Sequence, residues 1–169
     1  MAASAILLTG CKKEEDVSNL YTQPYIEWGK SEADVRNIYG TPVKTYSDDE
    51  ANSLYYQDKE KSTITVYFFN KTEDTLYGAA VLVNTTEKNI RKFLESKGYH
   101  YSSYINGEDL FYYTNTTSSL SDMTVVIGVY YQQDEPKGYI VQYWDPNVVL
   151  KPAGSSAPLK FNTAPVRLK

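Results

Sequence analysis

The segment Ser31-Glu32-Ala33-Asp34-Val35-Arg36-Asn37-Ile38 has a counterpart in Thr86-Glu87-Lys88-Asn89-Ile90-Arg91-Lys92-Phe93. Each opens on a hydroxyl residue suited to capping a helix N-terminus. Each also places an acid in the first turn, where it faces the positive end of the helix dipole. Apolar residues recur three apart, at Val35/Ile38 and at Ile90/Phe93, the spacing of one helix face. Working outward, Leu54-Tyr55-Tyr56 corresponds to Phe111-Tyr112-Tyr113, and Val66-Tyr67-Phe68-Phe69 more loosely to Val129-Tyr130-Tyr131. Acidic turns follow in both, Glu73-Asp74 and Asp134-Glu135, and the apolar stretches Gly78–Val83 and Gly138–Trp144 close them. The pattern predicts an α+β fold of two repeated helix-plus-antiparallel-strand units, residues 25–84 and 85–145. Each would run helix, strand, strand, turn, strand, with the helices packed on one face of an antiparallel sheet. One feature resists the pairing. The alternation Ile64, Val66, Phe68 falls one residue out of phase with Val125, Ile127, Val129, Tyr131, and a one-residue slip exchanges sheet faces.

The chain has 169 residues, 41% apolar and 22% charged, which suits a globular core. No apolar run approaches the ~18 residues that would read as a membrane-spanning helix. Lys151–Lys169 holds four basic residues and no acid, leaving thirteen basic against twenty-one acidic residues elsewhere. An acidic body repels phosphate, so no nucleic-acid partner is expected. One Cys and one His are too few for a zinc site, an iron–sulfur cluster or a disulfide framework.

The first residues run Ala2 to Leu8 and then Leu8-Thr9-Gly10-Cys11, with Lys12-Lys13-Glu14-Glu15-Asp16 directly after. This resembles the lipobox of bacterial lipoproteins. The resemblance implies a signal peptide remnant at 1–10, a Cys11 thiol carrying a diacylglyceryl group and an acylated α-amino group, with palmitate-type chains as the anchor. Several chains hold a bilayer far better than one, at ~0.8 kcal/mol per buried CH₂. A working signal peptide has a basic leading region. None precedes Ala2, which points to residues missing upstream of Met1. The Lys-then-acid run resembles the export signal of Bacteroidetes-type surface lipoproteins. It implies outer-membrane anchoring at the cell surface rather than on the periplasmic face. Residues 11–24 then form the lipidated tether, ending at Pro24. Residues 146–169, with four prolines and Gly154-Ser155-Ser156, read as an extended tail.

Trp28-Gly29-Lys30-Ser31 through Tyr39-Gly40-Thr41-Pro42 has the form G-x-S-x-x-x-V-x-x-x-x-G-x-P. Tyr55-Tyr56 and Thr65-Val66-Tyr67-Phe68 follow. Trp28–Val83 resembles the BamE/SmpA and beta-lactamase-inhibitor-protein-like envelope proteins. The second unit keeps only the helix start, with Lys97-Gly98 in place of Gly-x-Pro. The resemblance implies a capped helix, a Gly-x-Pro turn and an antiparallel sheet, in proteins that are mostly non-catalytic and bind other proteins.

No nucleophile elbow, phosphate loop or dinucleotide fingerprint is present, and no catalytic residue, metal or cofactor is assigned. His100, the sole His, reads as a surface or strand-edge residue. The acids at Asp48-Asp49-Glu50 and Asp58/Glu60 read as solvated turns. Asp74-Thr75-Leu76 fits a short O-glycosylation pattern of Bacteroidetes-type envelope proteins. Tyrosine, 17 of 169 residues, is the strongest functional signal. It offers wide contact area at low entropy cost with a hydroxyl to bond. Tyr55, Tyr67, Phe69, Tyr112, Tyr130, Tyr139 and Tyr143 lie on predicted strands and are the candidate contact residues. The expected function is a lipid-anchored, non-catalytic protein-binding module of the envelope, held to the membrane by Cys11. Its partner would be another envelope or extracellular protein. A surface glycan-binding lipoprotein for polysaccharide capture is the alternative.

Overall fold

In a computed structural model, the structure describes residues 16–49, 51–101, 111–116, 122–133 and 136–149. The elements run α1 (Glu32–Tyr39), β1 (Lys44–Ser47), β2 (Ala51–Asp58), β3 (Thr63–Asn70), β4 (Thr75–Val83), α2 (Glu87–Ser96), β5 (His100–Tyr101), β6 (Phe111–Thr114), β7 (Val126–Gln132), β8 (Gly138–Trp144) and α3 (Pro146–Val149). The strands form one antiparallel sheet in the order β1-β2-β3-β4-β8-β7-β6-β5.

Helix α1 begins where its capping box sits. The Ser31 hydroxyl accepts from Asp34 N, and the Asp34 carboxylate accepts from Ser31 N at 3.0 Å. It stops at Gly40, whose φ of 76° an L side chain rarely adopts. Thr86 caps α2 through Asn89 N alone. Val35 of α1 and Ile90, Phe93 and Leu94 of α2 pack into one apolar cluster. The strands supply its other side: Leu54, Tyr67, Phe69, Leu76, Ala79, Val81, Val83, Ile127, Val129, Val141 and Tyr143.

The expectation of two repeated helix-plus-strand units is corrected here. The described residues form mostly one eight-stranded antiparallel sheet with three short helices. The strands expected to close each unit, β4 and β8, pair with each other from Gly78↔Trp144 to Val83↔Tyr139 at the centre of the sheet. Their residues are almost all buried on both faces, so neither half holds a core of its own. Two strands were not anticipated. Both β1 and β5 are short outer strands, exposed along their length, with no apolar alternation to betray them.

The tether expectation also changes. Tyr21 is only 2% exposed, and its hydroxyl lies 2.7 Å from that of Tyr143. Leu20, Tyr25, Ile26 and Trp28 pack on the same cluster. The segment before α1 is therefore part of the core. Cys11 and most of the expected tail lie outside the described residues, although Pro146–Val149 forms α3.

Candidate functional site

Alternation along the strands separates two faces of different character. The face carrying α1 and α2 holds a tyrosine network. Tyr25 N donates to the Tyr67 hydroxyl at 3.1 Å, Gln23 Nε2 donates to the Tyr99 hydroxyl, and Tyr99 meets Tyr143 edge-on. Burial pushes the Tyr21, Tyr67 and Tyr143 hydroxyls well above the usual phenol range. Tyr25 is pushed up to about 12, by desolvation first and then by its hydrogen bond to, and the charge of, Glu27. These are phenols held neutral, which suits a structural network.

The other face carries neither α1 nor α2. Its cluster is Val66, Phe68, Ala80, Leu82, Val126, Ile140 and Trp144, all buried, with Tyr55, Ile64, Tyr77, Met123 and Tyr130 against it. Three rings gather at one end. Phe68 and Trp144 stack at 5.8 Å and 18°, and Tyr77 and Trp144 at 6.0 Å and 20°. A bulge makes this possible. Phe68 pairs with Gly78 and Phe69 with Leu76, so Tyr77 is the extra residue and shares the face of Gly78. Gly78 is the floor beneath the indole, because a Cβ there would lie 2.5 Å from Trp144 Cε3 and Cζ3. Beside Trp144 on the same face stands Gln142, flanked in register by Ala80 and Gly128, both small. Gln142 and Trp144 are each 1% exposed, and Gln142 Nε2 and Trp144 Nε1 have no hydrogen-bond acceptor among the described residues. An unsatisfied buried donor costs roughly 1–3 kcal/mol, and these two stand two residues apart on one strand, on the same face of the sheet.

The candidate residues divide between these faces. Tyr67, Phe69 and Tyr143 are 0–1% exposed within the helix-side core, and Tyr139 packs against it. Tyr55 and Tyr130 lie on the helix-free face. Tyr112 stands opposite Gly128 in the β6–β7 ladder. Sequence reasoning missed Phe68, Tyr77, Gln142 and Trp144 as members of one surface. Their available signal was a lone glutamine inside the apolar run Ile140–Trp144. Exposed aromatics occur elsewhere, at Tyr46, Tyr101 and Tyr131, on separate strands. His100 is exposed on β5, an outer strand, and Thr75 is half-buried at the start of β4.

At the far end of the helix-free face an open groove of about 360 Å³ is lined by Gln57, Lys59, Ile64, Leu82, Asn84 and Lys137, among others. Among the described residues, no three His, Cys, Asp or Glu side chains gather closely enough to share a metal ion. No helix there is long and apolar enough to cross a membrane.

No protein-family profile and no curated protein matches the sequence. Two solved structures are similar at a distance. One is a DUF4309 family protein, YjgB, from Bacillus subtilis, with a TM-score of 0.40 and 12% identity over 68% of this chain and 78% of that one. The other is an extracellular protein containing a SCP domain from Bacillus anthracis, with a TM-score of 0.40 and 12% identity over 82% of this chain and 51% of that one. This chain therefore spans about half the length of the second protein. Neither supports the resemblance carried by Gly29–Pro42.

Proposed function

We propose that this protein is a lipid-anchored, non-catalytic binding module of the cell envelope, tethered through Cys11, that receives another envelope or extracellular protein on its helix-free sheet face. One observation carries the reading. Stacked aromatics and two buried, acceptor-less N–H donors sit side by side on a face that the two longer helices leave free. Aromatic rings with a few fixed donors are the common chemistry of polypeptide-recognising grooves. The Leu8–Cys11 lipobox and the following Lys12–Asp16 run support anchoring at the outer membrane with the body outward.

The test exploits adjacent residues on opposite faces. A photo-crosslinking amino acid at Tyr130 faces the helix-free side, and one at Tyr131, 50% exposed, faces the other. Irradiated intact cells should give a discrete protein adduct from position 130 and none from 131. Equal adducts, or none, would overturn the choice of face. A polysaccharide ladder from position 130 would replace protein with glycan as the ligand. Replacing Cys11 with Ser should abolish palmitate incorporation and release the protein from the membrane fraction; unchanged incorporation would remove the anchor from the proposal.

A further inference from the structure

The sheet has one outer strand long enough to pair again. Among the described residues β1 has no strand on its outer side, and all four of its residues are exposed. At the other edge β5 is only two residues long. Exposed apolar side chains collect near β1. Ile38, Tyr39, Val43 and Tyr46 are four of the seven large ones exposed among the described residues, and all fall within residues 38–46. Tyr39 packs on Tyr56 at 5.5 Å, and the Tyr56 hydroxyl donates to Gly40 O, so the end of α1 sits over β2 beside this edge. Proteins ordinarily blunt such an edge with proline, a bulge or several charges. Within β1 the one charge is Lys44.

We infer that β1 pairs with β1 of a second copy of this chain, antiparallel about a two-fold axis through Tyr46. The hydrogen-bond pattern sets the register. Asp48 N donates to Ala51 O at 3.1 Å, closing the β1–β2 ladder. Bonded pairs alternate along an antiparallel ladder, so Tyr46 and Lys44 bond inward, to Ser53 and Tyr55. The N–H and C=O groups of Thr45 and Ser47 then point outward, one residue either side of Tyr46. In the antiparallel pair Thr45 of each copy meets Ser47 of the other, and the two pairs exchange four hydrogen bonds.

The side chains agree with that register. Tyr46 meets its own equivalent across the axis, at a non-hydrogen-bonded pair, where side chains approach most closely. Lys44 of each copy stands opposite Asp48 of the other, so the symmetry sets opposite charges together twice. Asp48 keeps its cap on Ala51 N through Oδ1, and Lys44 lies over the Tyr55 ring. A foreign strand would need this pattern supplied by its own sequence; a second copy supplies it by symmetry. Tyr46 pairs with Ser53, and Ser53 with Phe68, so the Tyr46 side chain is on the helix-free side. The axis is therefore perpendicular to the sheet, and the two helix-free faces lie side by side on one continuous sheet. The pairing does not depend on what those faces bind.

Sedimentation equilibrium of the full chain carrying C11S provides the first test. A ladder this short is a small interface, so the expected dissociation constant is roughly micromolar to millimolar. The weight-average mass should climb from one chain toward two as protein is raised to about 1 mM, and no further. A single chain at every concentration overturns the pairing, as does growth past two. T45P removes an outward N–H that the β2 ladder does not use, so it should keep the parent's circular dichroism and stay a monomer. A T45P chain that still dimerises places the contact elsewhere and overturns the proposal. K44E sets a like charge against Asp48 and should weaken association several-fold; unchanged association overturns the register.

Crosslinking reads the axis itself and does not need T45P to fold. Y46C and Y131C are each made in the C11S chain, at side chains of equal exposure, 51% and 50%. Mild oxidation should link two Y46C chains several-fold faster than two Y131C chains, because only the first pairing brings the Cβ atoms within about 5 Å. Equal rates overturn the two-fold pairing at Tyr46.

Discussion

The Tyr21–Tyr143 pair shows what a single hydroxyl does in this core. The two oxygens lie 2.7 Å apart, far from each other in sequence, and both residues are essentially inaccessible. Each hydroxyl satisfies the other, so removing one strands its partner. Y21F and Y143F should each cost about 1–2 kcal/mol, the penalty of one orphaned buried hydroxyl. The double variant Y21F/Y143F should cost clearly less than the sum, because no orphan remains. Urea unfolding of the four proteins measures the cycle, and strict additivity would mean that the two hydroxyls do not depend on each other. This pairing was not legible in sequence. Tyr21 stands in a polar stretch before Pro24 that reads as tether, and nothing near it indicates a partner on the last strand. Gln142 was hidden differently. An apolar run conceals which of its members face which side, so the glutamine reads as an interruption rather than as one half of a donor pair with Trp144.

At the scale of elements, helix boundaries were the most legible feature because caps are local. Ser31, Thr86 and the Gly40–Pro42 stop all act where the residue types predicted. The two caps differ in strength. Ser31 and Asp34 bond reciprocally, while Thr86 has Asn89 at the matching position and gains one bond. S31A should therefore cost about 1 kcal/mol in urea unfolding at neutral pH. A loss within error of zero would mean that packing of Val35 alone fixes α1. The Asp34 carboxyl is held below its usual range, first by the Ser31 backbone N–H and then by the Ser31 hydroxyl. A depressed folded pKa gives stability present above the unfolded value, ~3.9, and lost as pH falls through the folded one. D34N should thus be less stable than the parent at pH 7, with the two converging under acid; a gap that persists at pH 2 would contradict the charge-based part of the cap. Strands were harder to place. β3 is buried on both faces, Tyr67 and Phe69 on one and Val66 and Phe68 on the other. Reading only Ile64, Val66 and Phe68 as its inward stripe picks the helix-free side, while Val125, Ile127 and Val129 mark the helix side. The one-residue phase difference is therefore a real difference of face. The same two-sided burial is why the helix-free face went unnoticed: Tyr67, Phe69 and Tyr143 look equivalent to Tyr55 and Tyr130 until the sheet is assembled.

At the scale of the whole molecule, the β4–β8 ladder decides how the protein comes apart. Those strands join the two halves of the sheet, and α1 and α2 bury their apolar sides in one cluster fed by strands from each half. Opening either half would expose the other half's central strand, so no part has a reason to unfold first. Trp28 and Trp144 report from opposite faces, and their fluorescence should change together with far-ultraviolet circular dichroism in a single urea transition. Two resolved steps would show independent units. Alkali should produce the same event by a different route. The hydroxyls of Tyr21, Tyr67, Tyr99, Tyr113 and Tyr143 are raised chiefly by burial, and Tyr25 to about 12. A folded pKa raised above the unfolded value, ~10, means stability that is whole below pH ~10 and drains as pH climbs toward the folded values. Above pH ~10 the unfolded chain releases phenolic protons that the folded chain retains, and the balance shifts by all of these groups together. Absorbance of tyrosinate near 295 nm should therefore rise, for the buried set, in one steep step coincident with loss of circular dichroism. A gradual rise with the fold intact would mean that water reaches the tyrosine network and that the segment around Tyr21 does not seal it.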